Sequence, residues 1–147
     1  MTIKSEDNKD SFDILGIPVS TTNLTKAINK IIKWSGDTKG RFVCIRDVHG
    51  IIRSIDDKKL MKLHQDASMI TPDGIPLVIL GKLAGKKIDR TCGPDLFGEL
   101  IKKGITKNIR HYFYKKYFPS FLNLIGKQYP ILARKILMGR PLILRDL

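Results

Sequence analysis

No apolar run in these 147 residues reaches the ~18 needed to cross a bilayer as a helix, so no membrane-spanning helix is predicted. The polar opening MTIKSEDNKDS lacks the apolar core of a signal peptide, and a cytoplasmic location is the expectation. Cysteine is scarce: Cys44 and Cys92 stand far apart and form no CxxC, which argues against a disulfide or zinc framework and predicts free thiols. Acid is scarce too, with 14 Asp/Glu against 27 Lys/Arg and a net charge of +13. That deficit is sharpest in residues 105–147, where nine Lys/Arg face a single acid. Several motifs are also missing: there is no GxGxxG after a strand, no P-loop, no Ser-centred elbow and no zinc spacing. The GKLAG of Gly81–Gly85 falls inside a helical pattern and is not read as a phosphate cradle.

What is present is the composition of a globular protein, 42% hydrophobic and 28% charged, and a length suited to one domain with a real core. Residues 1–11 are expected to be flexible, 12–130 to form an α/β domain, and 131–147 to be a basic tail without a closing pattern. A basic surface favours anionic partners such as phosphorylated substrates, lipid headgroups or nucleic acid.

Phe12–Val19 reads as a short strand-like segment broken by Gly16 and Pro18, after which Thr21 or Thr22 is placed to cap a helix. Leu24, Ala27, Ile28, Ile31 and Ile32 then share one helical face, with Lys26, Asn29, Lys30 and Lys33 opposite. Arg41–Arg46 is a β-prone run, and Asp47 and His49 fall on the loop leaving it. Ile51–Ile55 and Asp56–Ala67 read as one or two helices, with Leu60, Met61, Leu63 and His64 inward, Asp56 and Asp57 as helix-start acids, and His64 as no ligand but an ordinary surface residue. Ser68–Thr71 is a strand stopped by the turn Pro72-Asp73-Gly74. A helical pattern follows, with Leu77, Leu80 and Leu83–Ala84 three or four residues apart. Cys92-Gly93-Pro94-Asp95 opens another helix, which Lys102-Lys103-Gly104 should end. His111–Tyr114 is a further strand candidate and Ser120–Tyr129 a helix candidate. This alternation predicts a parallel α/β sheet with right-handed crossovers.

Ligands of open α/β sheets bind at the carboxyl ends of the strands, which is where Asp47, His49, Asp73 and Asp95 are expected. A carboxylate there can serve as a general base, and Lys86, Lys87 and Arg90 lie close by in sequence. Cations and helix N-termini can hold a diphosphate without a metal. The competing reading is that Asp73 and Asp95 only cap the helices that follow them.

Leu15-Gly16-Ile17-Pro18-Val19, Val48-His49-Gly50, Thr71-Pro72-Asp73-Gly74-Ile75-Pro76-Leu77-Val78 and Gly93-Pro94-Asp95-Leu96 occur in this order. Together they resemble the WecG/TagA/CpsF family of bacterial glycosyltransferases, best over residues 12–104. The resemblance implies a Rossmann-like fold and inverting transfer without a required metal. The implied donor is a UDP-N-acetylamino sugar, typically N-acetylmannosamine, used as substrate with no separate cofactor. The implied acceptor is a polyprenol-diphosphate-linked amino sugar of teichoic acid, enterobacterial common antigen or exopolysaccharide synthesis. It also implies peripheral contact with the inner face of the cell membrane, and it leaves a homo-oligomer open.

Carried over by position, Asp73 becomes the catalytic base, with Thr71 and Gly74 beside it as substrate-binding positions. Asp47 stands where many members have the Asn of a Thr-x-Asn motif, and Ile45 stands at the Thr. His49 fits a Val-His-Gly variant of that loop, and Gly93, Pro94 and Asp95 match a loop expected near the donor. Arg90 is a phosphate contact on charge alone. After about residue 114 the pattern departs: Lys115-Lys116 replaces a Gly-Gly loop, and nothing beyond Pro130 matches, so a truncated or divergent member is expected. The alternative is a basic nucleic-acid-binding module driven by the tail. Tyr112, Phe113, Tyr114 and Tyr117 fit a buried strand better than a stacking platform, so no nucleic-acid partner is expected.

Overall fold

Leu15 and Gly16 both have positive φ, at 55° and 83°, the combination a two-residue hairpin turn requires. In the computed structural model, which describes residues 10–109 and 111, they join β1 (Ser11–Ile14) to β2 (Ile17–Ser20) as an antiparallel pair. The segment expected as one broken strand is therefore a hairpin. Asp13 Oδ1 accepts from the Gly16 amide at 3.0 Å and ties the turn.

Helix α1 (Leu24–Trp34) buries Ala27 and Ile28 and exposes Lys26, Asn29 and Lys33, as its spacing predicts. Its cap is neither Thr21 nor Thr22 but Asn23, whose side chain accepts from the Lys26 amide at 2.9 Å. Thr22 is buried and donates its hydroxyl to the Asn23 carbonyl. An amide side chain one residue later meets the first-turn N–H groups just as well.

Strand β3 (Val43–Arg46) pairs in parallel with β4 (Met69–Pro72), so that Ile45 lies opposite Thr71 and Arg46 opposite Pro72. Two short helices connect them, α2 (Val48–Asp56) and α3 (Lys58–Asp66). Asp57 caps α3 through the amides of Lys59 and Leu60, whereas Asp56 closes α2 instead of starting a helix. On α3 His64 is completely buried, as the inner-face reading has it and the surface reading does not, while Leu63 is exposed, contrary to the expected face.

Helix α4 (Ile75–Leu83) carries Pro at its first turn and buries Leu77, Val78 and Gly81. Of the leucines at helical spacing, Leu77 turns inward while Leu80 and Leu83 point to water. Gly81 explains the rotation: a Cβ there would stand 2.7 Å from Ile88 Cγ2 and 3.0 Å from Phe12 Cζ, so α4 turns its bare backbone toward those two side chains. The core joins Ile17 and Val19 of β2, Cys44 of β3, Ile51 of α2, Ile70 of β4, Leu77 and Val78 of α4, and Ile88.

Helix α5 (Gly93–Thr106) continues past Gly104, where a stop was expected. The His111 ring packs where a side chain on Gly104 would stand, so that glycine is a close approach and not a terminator. The chain divides into two compact units between Leu96 and Phe97. The result is a mixed α/β fold with a small parallel sheet, β3–β4, flanked by helices, consistent with a partial Rossmann-like domain. The strand expected at His111–Tyr114, apart from His111 itself, the helix expected at Ser120–Tyr129 and the basic tail lie outside the described residues.

Candidate active site

At the carboxyl edge of β3–β4 the pairing runs one step beyond the strands, because the Asp73 amide donates to the Arg46 carbonyl at 2.8 Å. The two loops leaving the sheet then lie side by side. A Cβ on Gly74 would be 3.7 Å from Asp47 Cβ. Both loops become helices immediately, so the N-termini of α2 and α4 meet at this edge, and their free amides give it positive potential.

Asp73 does not cap α4. The cap position belongs to Gly74, with no side-chain hydrogen bond. Its carboxylate is instead held by Arg90, whose Nη2 lies 3.3 Å from Oδ1 while Nε donates to the Asp73 carbonyl at 3.0 Å. Arg90 thus grips backbone and side chain of one residue. The other carboxylate oxygen has no hydrogen-bond partner among the described residues, and the side chain is about one third exposed. Capping therefore does not account for Asp73. Arg90, expected as a phosphate contact, is engaged by Asp73 through Nε and Nη2 and remains about half exposed.

The backbone after Arg90 is docked on β4 by the Thr91 amide, which donates to the Pro72 carbonyl at 2.8 Å. Cys92 follows, with its thiol donating to Asp95 Oδ2 at 2.8 Å. Burial and the neighbouring carboxylates of Asp95 and Asp73 push the Cys92 thiol above its ordinary pKa. This thiol therefore stays protonated at neutral pH. Asp95 sits in the first turn of α5, as a helix-start acid would, with Gly93 and Pro94 leading into it. Gly93 lies close to Ile45: a Cβ on it would be 3.7 Å from Ile45 Cδ1. Thr71, in register with Ile45 and so on the same face of the parallel pair, is completely buried. Its hydroxyl has no hydrogen-bond partner among the described residues.

Asp47 caps α2, its Oδ1 accepting from the Gly50 amide at 2.8 Å. His49 is exposed in the first turn of that helix, not on an open loop. Lys86 and Lys87 are not brought to this edge; they line a cleft at the far end of α4.

Sequence reasoning missed a polar chain behind the site. Arg46 Nε donates to His64 Nε2 at 2.6 Å, His64 Nδ1 lies 2.8 Å from Ser54 Oγ, and Ser54 Oγ donates to the Gly50 carbonyl at 3.0 Å. A guanidinium has no acceptor, so Nε2 must be bare and the proton must sit on Nδ1. Burial, and then the charge of Arg46, push the His64 pKa below its ordinary value. The chain locks α2 and α3 against the end of β3. Its one sequence signal was Ser54, a polar residue on the buried side of α2 three places after Ile51.

The family model for glycosyl transferases of the WecG/TagA/CpsF family matches residues 12–116. The chain belongs to this family. Two relatives share the name N-acetylglucosaminyldiphosphoundecaprenol N-acetyl-beta-D-mannosaminyltransferase. The one from Bacillus subtilis (strain 168) is 27% identical over 122 residues, covering 80% of this chain and 48% of that enzyme. The one from Bacillus spizizenii (strain W23) is 32% identical over 77 residues, covering 52% of this chain and 30% of that enzyme. This WecG/TagA/CpsF member therefore spans about half, or less, of the length of the curated relatives it matches.

Proposed function

We propose that this chain is an N-acetylmannosaminyltransferase-like glycosyltransferase. In this reading it moves an N-acetylamino sugar from a UDP-sugar to a polyprenol-diphosphate-linked N-acetylglucosamine in surface polysaccharide synthesis. The observation that carries the reading is Asp73, held by Arg90 at the carboxyl end of β4 with one carboxylate oxygen open. That oxygen takes the proton from the acceptor hydroxyl as the hydroxyl oxygen attacks the anomeric carbon. The bond from that carbon to the donor phosphate breaks, and UDP leaves with the electron pair. One base suffices for such a displacement, and the configuration inverts.

The departing diphosphate is anionic, and the amides at the starts of α2 and α4 supply the potential that receives it without a metal ion. The buried Thr71 hydroxyl and the Gly93–Asp95 turn are assigned to the donor side. Asp47 and His49 are assigned to the rim. The acceptor is lipid-borne, so the enzyme works at the membrane surface; among the described residues no helix is long and apolar enough to cross a membrane.

The test is transfer of label from UDP-N-acetylmannosamine to a polyprenol-diphosphate N-acetylglucosamine acceptor by the purified chain. Asp73→Asn is expected to lower the rate ~10²–10⁴-fold, the range of a lost general base. Chelation with EDTA is expected to leave the rate unchanged. Transfer that survives Asp73→Asn overturns the assigned base, and an inactive wild-type chain overturns the assignment of activity to this length of protein.

A further inference from the structure

Helix α4 reads IPLVILGKL, apolar nearly all round, yet it lies at the surface. Its inner side buries Leu77, Val78 and Gly81. On its outer side Ile75, Ile79, Leu80 and Leu83 are 56%, 51%, 45% and 80% exposed. Single exposed aliphatics are ordinary, but four within one nine-residue helix, at spacings that place them on a common side, form a stripe that folding does not explain.

A second feature adjoins this stripe. At the end of α4 the chain places Lys82, and beyond it Lys86 and Lys87, around an open cleft of about 450 Å³, together with Lys26 of α1. Asn23, Ile88 and Asp89 complete the lining, and Asp89 pairs with Lys82 at 3.5 Å. Four lysines against one aspartate leave the cleft strongly cationic.

Aliphatic side chains edged by lysines match the boundary between acyl chains and anionic headgroups. A second copy of this chain meeting the same patch across a two-fold axis would set lysine against lysine, which charge disfavours. We propose that the outer face of α4, with Lys26, Lys82, Lys86 and Lys87, is the surface on which the protein lies against an anionic phospholipid bilayer. Ile75 follows Asp73 by two residues, and nine helical residues span about 13 Å. The stripe therefore leads from the carboxylate to the lysine cleft along the membrane plane. Its purpose rests on the reading of a lipid-linked acceptor, whereas its binding chemistry does not.

The experiment is flotation of the full chain with vesicles of phosphatidylcholine containing phosphatidylglycerol, and with vesicles of phosphatidylcholine alone. Binding to the anionic vesicles is expected, with at least a tenfold loss in Ile79→Glu/Leu83→Glu and about a fivefold loss for each of Lys86→Glu and Lys87→Glu. Circular dichroism should show these exposed-face variants folded. The basic region 105–147 could itself hold the chain to vesicles, so Leu83→Trp supplies a local readout: brominated lipids should quench its added emission. Unchanged partition of the double variant, an unquenched Trp at position 83, or equal binding to neutral vesicles overturns the proposal. Self-association that the same double variant abolishes, without vesicle binding, overturns it in favour of a second copy. Transfer to a water-soluble acceptor separates the two readings. If it fails while vesicle binding holds, the proposed activity falls alone; if it persists while vesicle binding is absent, the membrane face falls alone.

Discussion

Helices α1 and α4 are both surface helices, and they treat water in opposite ways. α1 turns Ala27 and Ile28 inward and its lysines outward, so the demands of folding account for nearly every residue on it. α4 satisfies the same demand with Leu77, Val78 and Gly81, then spends its outer side on four further aliphatics. A pattern that folding explains says little about function. The surplus on α4 is the part of the molecule that asks for a partner.

The contrast can be broken within α4 itself. Leu77→Ala removes a completely buried side chain from the core and should cost about 2–5 kcal/mol in chemical denaturation. Gly81→Ala pushes a methyl group against Ile88 and Phe12 and should cost about 1–3 kcal/mol, read the same way. In α1, Asn23→Ala removes the cap and should lower thermal stability by about 1 kcal/mol. Leu80→Ala, on the outer side of α4, should change stability by no more than about 0.5 kcal/mol. A cost at Leu80 that rivals the cost at Leu77 would mean that the stripe is covered within the protein and would remove the contrast.

A further measurement concerns pH. His64 is neutral in the folded protein, with its pKa pushed below the ordinary 6.5. As pH falls through 6.5, the unfolded chain takes up a proton that the folded one refuses, so stability declines until the pH passes the folded value. His111, also depressed by burial, acts in the same direction. Melting curves between pH 7.5 and 5.5 should show this decline, and His64→Gln should reduce its slope without abolishing it.

Most elements of the first unit were legible because each rests on short-range physics. The α1 periodicity, the β-prone run ending at Arg46 and the Pro-Asp-Gly stop after Thr71 each lie where their residues place them. What escaped depends on partners distant in sequence. The inner face of α4 is decided by Phe12 and Ile88 meeting Gly81, and no spacing within the helix encodes that. His64 looked like a surface residue because its partner Arg46 stands 18 positions earlier. Asp47 and Asp73 were picked out by the strand-end loops they sit on and Gly93 by motif resemblance, whereas the pairing of Arg90 with Asp73 required the fold that brings position 90 back to the end of β4.

The chain from Arg46 through His64 and Ser54 to the Gly50 carbonyl has a direction. Every hydrogen points away from the guanidinium, because its first member can only give and its last can only take. Position 64 must therefore accept on one side and donate on the other. Glutamine meets that requirement with its amide oxygen and nitrogen, while lysine and glutamate each fail at one end and leucine at both. The wiring acts as a substitution rule: among natural variants of this chain that keep Arg46 and Ser54, position 64 should alternate between histidine and an amide and admit little else.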